Sequence, residues 1–259
     1  MSDEMRAGSI FDLAGKVVLV TGASSGLGAR FAQVAAANGA KVVLVGRRAE
    51  RLADLKATIE ASGGAALAVT ADVAEAAAIA SSFDAAEAAF GTVDVLVANA
   101  GTSSWGRLSE SSAKEWRRIM DINLDAAVWW SLEAARRLVE AKRRGSIITI
   151  SSIAGLLVPG GLAAYGVSKA ALISATKLMA QEFGSKGVRA NTIAPGWIMS
   201  EMTADYLGSA DGVANTTSLP LGRHGDPSDL DGAFLLLASE AGRHITGITL
   251  VVDGGDLVR

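Results

Sequence analysis

The stretch Val17-Val-Leu-Val-Thr21-Gly22-Ala-Ser-Ser-Gly26-Leu-Gly28 joins a short β-branched run to an Ala-rich segment. A strand, a glycine-rich turn and a helix in this order are the context that a phosphate-binding turn requires. Gly22 would permit the tight turn, Gly26 would let the backbone approach a pyrophosphate, and Gly28 would let the helix pack closely on the strand. The free N–H groups at the start of the helix would face the phosphates. No Gly-Lys-Ser/Thr follows, so the turn is not a P-loop.

Short β-branched runs and longer Ala-rich stretches continue to alternate along the chain. The pattern predicts strands at 16–20, 41–45, 65–69, 93–98, 146–150, 189–193 and 248–252, and helices at 26–38, 49–61, 75–90, 111–142, 163–184 and 228–238. Strands that alternate with helices imply right-handed crossovers. We therefore predict an α/β fold with a single doubly wound parallel sheet of about seven strands and helices on both faces, a Rossmann-like arrangement.

Length and composition favour one domain. The 259 residues are 50% hydrophobic, enough for a large core, and no linker or repeat divides them. We predict a single domain over residues 1–259, with residues 1–11 as a flexible arm. A net charge of −3 argues against general nucleic-acid binding, and no apolar run reaches the about 18 residues that a membrane span needs.

The cysteine and histidine content bears on metals and on location. The chain has no Cys, and its two His residues lie in separate polar stretches, so we predict neither a disulfide nor a metal site. The N-terminal residues are acidic and lack the apolar segment of a signal peptide. A cytoplasmic location is therefore expected.

Unusual residues follow one predicted strand after another, at the sheet edge where such folds bind ligands. They are Gly46-Arg47-Arg48, Asp72-Val73, Asn99-Ala100-Gly101, Ser151-Ser152 and Pro195-Gly196. At the end of the second strand, an NAD site has a carboxylate for the ribose 2′-hydroxyl, whereas this chain has Gly46 followed by two arginines. A guanidinium suits a 2′-phosphate, so we predict NADP(H) in preference to NAD(H). The alternative is that Arg47 and Arg48 are solvated surface charges.

Ser152, Tyr165 and Lys169 form a candidate acid/base site. Residues four apart lie on the same face of a helix, so Lys169 should stand near Tyr165. A phenol ordinarily has a pKa of about 10, and a nearby positive charge would favour the phenolate and assist proton transfer. The Ser152 hydroxyl could hold a substrate oxygen. A lone Tyr-x-x-x-Lys is an ordinary helix pair, so this interpretation depends on the other motifs.

Taken together, these residues resemble the short-chain dehydrogenase/reductase family from about Leu13 to Gly255. The resemblance rests on the glycine turn, Asp72, Asn99-Ala-Gly, Asn123, the spacing of Ser152, Tyr165 and Lys169, and Pro195-Gly196. The chain departs from the family at Ala98-Asn99, where many members have two asparagines, and at Ser200, where a threonine is usual.

The resemblance implies a role for each matching position. Tyr165 would be the general acid or base, and Lys169 would lower the pKa of Tyr165 and bind the nicotinamide ribose. Ser152 would bind the substrate oxygen, and Asn123 would hold a water of a proton relay. The implied cofactor-binding residues are Gly22, Ser24, Ser25, Gly26, Leu27, Gly28, Arg47, Arg48, Asp72, Val73, Asn99, Ala100, Gly101, Tyr165, Lys169, Pro195, Gly196, Ile198 and Ser200. Residues 197–220 would form a substrate lid, with Trp197 and Met202 joining Ser152 and Tyr165 at the substrate.

The resulting expectation is an oxidoreductase that transfers a hydride between NADP(H) and a ketone or secondary alcohol. Two alternatives stay open: a dehydratase or epimerase that uses a bound cofactor, and a non-catalytic NADP(H)-sensing protein. The helices predicted at 111–142 and 163–184 carry apolar residues on more than one side, among them Trp129 and Trp130. Such surfaces favour a symmetric dimer or a tetramer with 222 symmetry, and the family resemblance points to the homotetramer, with residues 248–252 in a second contact.

Overall fold

A computed structural model describes residues 7–158 and 160–259 of the chain. Its centre is a parallel sheet of seven strands in the order β3-β2-β1-β4-β5-β6-β7. The strands are β1 (Val17–Thr21), β2 (Lys41–Gly46), β3 (Ala65–Thr70), β4 (Val95–Ala98), β5 (Gly145–Ile150), β6 (Val188–Pro195) and β7 (Thr249–Val252). The chain order reverses between β1 and β4, which is where such sheets bind ligands. The predicted fold class is confirmed.

Helices cover both faces of the sheet, as a doubly wound fold requires. They are α1 (Ala7–Ile10), α2 (Gly26–Ala37), α3 (Ala49–Ala61), α4 (Ala76–Phe90), α5 (Ala113–Met120), α6 (Ala126–Glu140), α7 (Ala163–Phe183), α8 (Ala204–Leu207), α9 (Ala210–Thr217) and α10 (Asp231–Ala238). Residues 1–6 of the predicted arm lie outside the described residues, whereas Ala7–Ile10 form a short helix. Within the described ranges, no helix is both long and apolar enough to cross a membrane.

Two apolar cores hold the helices against the sheet. On one face, Phe31 of α2 packs on Phe234 of α10, with ring centroids 5.2 Å apart. On the other, Phe83 of α4 packs on Trp130 of α6 at 5.8 Å, and the Trp130 indole N–H donates to the Val73 carbonyl. Full burial of each such ring contributes about 1.5–3 kcal/mol. The strands between the cores are apolar and buried because both of their faces are covered.

The segment predicted as one helix at 111–142 is divided. A π-helical turn, Asp121–Asp125, separates α5 from α6. Its buried residue is Asn123, a poor helix former, whose side chain bonds outside the helix to Thr102 and Ser168. Such turns often mark functional positions, and here the turn directs an amide toward α7.

Candidate active site

The glycine turn after β1 can hold its shape only with glycine at several positions. Gly22 and Gly26 have φ values of +69° and +53°, a region that other residues rarely adopt. A Cβ at Gly28 would lie 2.3 Å from the Gly22 carbonyl oxygen, so this position excludes any side chain. The helix α2 begins at Gly26 and presents its first N–H groups toward the turn.

Asn99 at the end of β4 fixes the turn from below. Its side-chain amide donates to the Thr21 carbonyl at 2.9 Å, and the Thr21 hydroxyl accepts from the backbone N–H groups of Asn99 and Ala100 at 3.0 and 3.1 Å. Asn99 was predicted to contact the adenosine ribose or to take part in the strand packing nearby; these bonds show the packing contact, and the ribose contact stays a prediction. Sequence reasoning missed Thr21, which shares the motif with Gly22.

The two arginines after β2 have different surroundings. The Arg47 side chain is 72% exposed and lies 3.6 Å from an Asp72 carboxylate oxygen. The Arg48 guanidinium donates to the Ser24 hydroxyl at 3.1 Å and to the Glu201 carboxylate at 2.9 Å. This hydrogen bond and the Arg48 charge lower the pKa of Glu201. Arg48 therefore bridges the glycine turn and the start of the predicted lid.

A cavity of about 440 Å³ runs along this edge of the sheet. The predicted cofactor residues that line it are Gly22, Ser24, Ser25, Gly26, Leu27, Arg47, Arg48, Asp72, Val73, Asn99, Ala100, Gly101, Tyr165, Lys169, Pro195, Gly196, Ile198 and Ser200. Gly28 instead lies against the Gly22 carbonyl and Asn99. The lining also includes Arg118, Ile122 and Glu201, which the sequence analysis did not select. Glu201 follows Ser200 directly, and this adjacency to a selected residue was the signal available in the sequence.

Tyr165 and Lys169 lie one turn apart on α7, as predicted. Lys169 is 4% exposed, its Nζ donates to the Ile150 carbonyl at 2.8 Å, and it stands 5.6 Å from the centroid of the Tyr165 ring. The Ser151 hydroxyl donates to the Lys169 carbonyl at 2.8 Å and joins the end of β5 to α7. The lysine is thus held between the sheet and the phenol.

Burial governs the pKa values of this pair. It lowers the pKa of Lys169 from 10.5 to about 8, because the charged ammonium loses hydration. Burial also raises the pKa of Tyr165, and a hydrogen bond with Ser152 opposes that rise in part. The expectation that Lys169 gives Tyr165 a lowered pKa is therefore wrong for this structure, since desolvation outweighs the effect of neighbouring groups.

Ser152 and Asn123 complete the predicted catalytic set. The Ser152 hydroxyl accepts from the Ala154 N–H at 3.1 Å. The fully buried Asn123 side chain accepts from the Thr102 N–H and donates to the Thr102 carbonyl, each at 2.8 Å. A Cβ at Gly101 would lie 3.4 Å from Asn123 Oδ1 and 3.5 Å from Lys169 Nζ, so these two side chains approach the same point.

A second cavity of about 350 Å³ shares Ser152 and Tyr165 with the first. Both predicted substrate residues outside the acid/base set, Trp197 and Met202, line it. Three rings form one side, which we call the aromatic wall: Trp105, Trp197 and Tyr206. The Trp197 and Tyr206 centroids are 4.4 Å apart, and those of Trp105 and Tyr206 are 5.3 Å apart. Among the described residues, no group of three or more His, Cys, Asp or Glu could hold a metal ion.

Known proteins with similar sequences and structures agree with this geometry. A family model described as enoyl-(acyl carrier protein) reductase matches residues 22–256. The chain is 39% identical to 2,5-dichloro-2,5-cyclohexadiene-1,4-diol dehydrogenase LinX of Sphingobium indicum over 94% of this chain and 96% of that protein. It is also 39% identical to 3beta-hydroxysteroid dehydrogenase 1 of Eggerthella lenta over 94% of each chain.

Solved structures of dehydrogenases also match this chain over nearly its whole length. A gluconate 5-dehydrogenase from Burkholderia cenocepacia, in complex with NADP and tartrate, matches with a TM-score of 0.93 and 32% identity, over 98% of this chain and 100% of that one. A short-chain type dehydrogenase/reductase from Mycobacterium marinum matches with a TM-score of 0.92 and 35% identity, over 96% and 98%. Because these matches span nearly the whole chain, the chain belongs to the short-chain dehydrogenase/reductase family and is an oxidoreductase of alcohol and carbonyl groups.

Proposed function

We propose that this protein interconverts a ketone and a secondary alcohol with NADP(H), and that Tyr165 is the general acid/base. One observation carries the proposal: Tyr165 and Ser152 line both cavities, so their hydroxyls stand where a cofactor site and a substrate site meet. A group placed at this junction can exchange a proton with a substrate oxygen while the substrate carbon faces the first cavity.

The first cavity has the features of a dinucleotide site. Gly28 leaves no room for a side chain beneath the turn, and the first N–H groups of α2 favour an anion there. Asp72 and Val73 line the cavity near Arg47 and suit the adenosine end. Pro195, Gly196 and Ile198 line it near Tyr165 and suit the nicotinamide end. When bound, the nicotinamide ring supplies the hydride in reduction and accepts it in oxidation.

Each catalytic side chain then has one task. In reduction, Tyr165 donates its phenolic proton to the carbonyl oxygen as that oxygen gains charge, and Ser152 donates a hydrogen bond to the same oxygen. Lys169 returns a proton toward the phenolate, and Asn123 positions the relay through the bonds that join it to Thr102 and α7. The Tyr165 phenol is protonated at neutral pH and so holds the proton that reduction needs, while its raised pKa makes it a weaker acid than a free phenol.

Replacing Tyr165 by Phe tests this assignment. Loss of the general acid should lower kcat for NADPH-dependent ketone reduction by about 10²–10⁴-fold, while NADPH binding, followed by its fluorescence, should change little. Tyr206→Phe removes the hydroxyl of the other tyrosine of the chain and controls for loss of a phenol as such. A Tyr165→Phe enzyme with near-normal turnover would show that another group transfers the proton.

The preference for NADP(H) is a further part of the proposal. Gly46 supplies no carboxylate that would repel a 2′-phosphate, and Arg47 and Arg48 line the cavity beside it. The Burkholderia cenocepacia relative carries NADP. Arg47→Gln and Arg48→Gln, measured separately, should each lower the ratio of kcat/KM for NADPH to that for NADH. An unchanged ratio in both variants would assign these arginines to the solvated surface.

We also propose a homotetramer in the cytoplasm. The structure buries Trp130, Leu172 and Met179 within the subunit, but Trp129 of α6 and Leu178 of α7 remain 58% and 62% exposed. Large exposed apolar side chains on neighbouring helices suit a symmetric contact, and residues 248–252 at the sheet edge would supply the second. Light scattering should give a particle mass four times the 26.4 kDa mass of the chain, and Trp129→Glu should lower that particle mass. A monomeric wild type would refute the assembly, and cell fractionation tests the location.

A further inference from the structure

The aromatic wall is assembled from two separate parts of the chain. Trp105 comes from the loop after β4, whereas Trp197 and Tyr206 come from the segment that follows β6. The Trp105 and Trp197 rings are nearly parallel, with an interplanar angle of 10° and centroids 6.4 Å apart. Trp105 is 56% exposed although it contacts two other rings. The wall therefore offers open ring surface to the second cavity.

The polar side chains around this cavity are largely committed to bonds within the protein. The Thr203 hydroxyl donates to the Ile198 carbonyl at 2.6 Å. The Arg259 guanidinium, the cation of the lining, donates to Asp256 at 2.6 Å and also to the Asn215 side chain. The lining also includes four apolar residues: Ile153, Ala154, Leu157 and Leu162. Among the described lining residues, Ser103, Ser152, Tyr165 and Tyr206 carry the other hydroxyls, and those of Ser152 and Tyr165 are the two that also border the first cavity.

From this lining we infer that the substrate is an uncharged cyclic ketone, or its alcohol, whose ring lies against the aromatic wall. The inference rests on the proposed function, which places the carbonyl oxygen at Ser152 and Tyr165. Stacked rings gain about 0.5–1.5 kcal/mol beyond the burial of their area. A carboxylate would lose its hydration beside a cation that Asp256 already neutralises. A cavity of about 350 Å³ accommodates two fused rings.

Three ketones separate the features of the ligand. 1-Tetralone is a neutral bicyclic ketone, 2-decanone has the same number of carbons in an open chain, and 5-ketogluconate is polyhydroxylated and anionic. With NADPH, kcat/KM for 1-tetralone should exceed each of the others about tenfold, the value of one to two ring contacts. An equal or higher kcat/KM for 2-decanone or for 5-ketogluconate would overturn the inference.

Variants of the wall identify the source of the preference. Tyr206→Leu removes a ring and should bring the ratio of kcat/KM for 1-tetralone to kcat/KM for 2-decanone close to one. Tyr206→Phe keeps the ring and should retain the wild-type ratio. Arg259→Gln should leave the low rate with 5-ketogluconate low. If both Tyr206→Leu and Trp197→Leu keep the wild-type preference for 1-tetralone over 2-decanone, the aromatic wall does not select the substrate and the inference fails.

Failure of the inference differs from failure of the proposed function. If some ketone is reduced with NADPH and Tyr165→Phe abolishes that reduction, the function stands whichever ketone is preferred. If no ketone is reduced, or if Tyr165→Phe has no effect, the proposed function itself is refuted and the inference falls with it.

Discussion

The buried Lys169 gives the stability of this protein a predicted dependence on pH. Folding moves its pKa from 10.5 to about 8, through desolvation of the ammonium. Below pH 8 the lysine is charged in both states, and the folded state bears a constant cost. Between pH 8 and 10.5 the unfolded state binds more protons, so the free energy of unfolding rises with pH in that window.

The size of the effect follows from the shift. Each pKa unit corresponds to about 1.4 kcal/mol, so the Lys169 contribution should increase the free energy of unfolding by about 2.5 kcal/mol between pH 7 and pH 10. The titratable neighbour is Tyr165, whose pKa in the folded state is raised above its ordinary value of 10.0, so the phenol begins to contribute as pH 10 is approached and the unfolded state ionises. Other groups titrate as well, and a variant is needed to isolate the lysine.

The assay is urea unfolding, followed by circular dichroism at pH 7, 8, 9 and 10 and at one protein concentration. Lys169→Met removes the charge and keeps the length of the side chain. It also loses the bond to the Ile150 carbonyl, so the test compares how the free energy of unfolding changes with pH and not its absolute value. Between pH 7 and pH 10, the free energy of unfolding of the wild type should therefore rise by about 2.5 kcal/mol more than that of Lys169→Met. Lys177→Met, an exposed position on the same helix, is the control and should follow the wild-type profile. Parallel profiles for wild type and Lys169→Met would refute the reasoning.

Two more predictions concern the first cavity. Glu201→Gln should release Arg48 from its carboxylate partner and strengthen NADPH binding severalfold relative to NADH, measured by fluorescence titration; an equal change for both would separate Glu201 from cofactor choice. Gly28→Ala should abolish cofactor binding and lower the melting temperature, because its Cβ would lie 2.3 Å from the Gly22 carbonyl oxygen. The control is Gly232→Ala, at an open position of α10, which should stabilise the protein by about 0.5–1 kcal/mol. Equal melting temperatures for Gly28→Ala and Gly232→Ala would contradict the steric conflict inferred at Gly28.

Local sequence was sufficient for the elements that the site depends on. The predicted strand at 41–45 corresponds to Lys41–Gly46, and the predicted helix at 49–61 to Ala49–Ala61. These segments have strong apolar patterns and clear glycine boundaries. Because parallel strands place their carboxyl ends at one edge, the strand predictions also brought the scattered motifs into one cavity.

Elements with weak local patterns were not predictable in this way. The segment after β6 was expected to be a lid, but its two short helices, Ala204–Leu207 and Ala210–Thr217, lack an apolar repeat long enough to recognise. The π-helical turn in the middle of the long helix depends on the bonds of Asn123 to a distant loop. The contact of Trp105 with Tyr206 joins residues about one hundred positions apart in the sequence. No pattern along the chain encodes such pairings.

The pKa values of Tyr165 and Lys169 show why proximity in sequence did not determine the chemistry. Their spacing predicted correctly that the two side chains lie together, and from this a lowered phenol pKa was expected. The same packing that brings them together removes water from both, and desolvation favours the neutral form of each group. At neutral pH the pair is therefore a protonated phenol beside an ammonium with a pKa of about 8. Such a pair holds a proton, but the raised pKa makes the phenol a weaker acid, so proton transfer in the proposed reduction would depend on the negative charge that develops on the substrate oxygen.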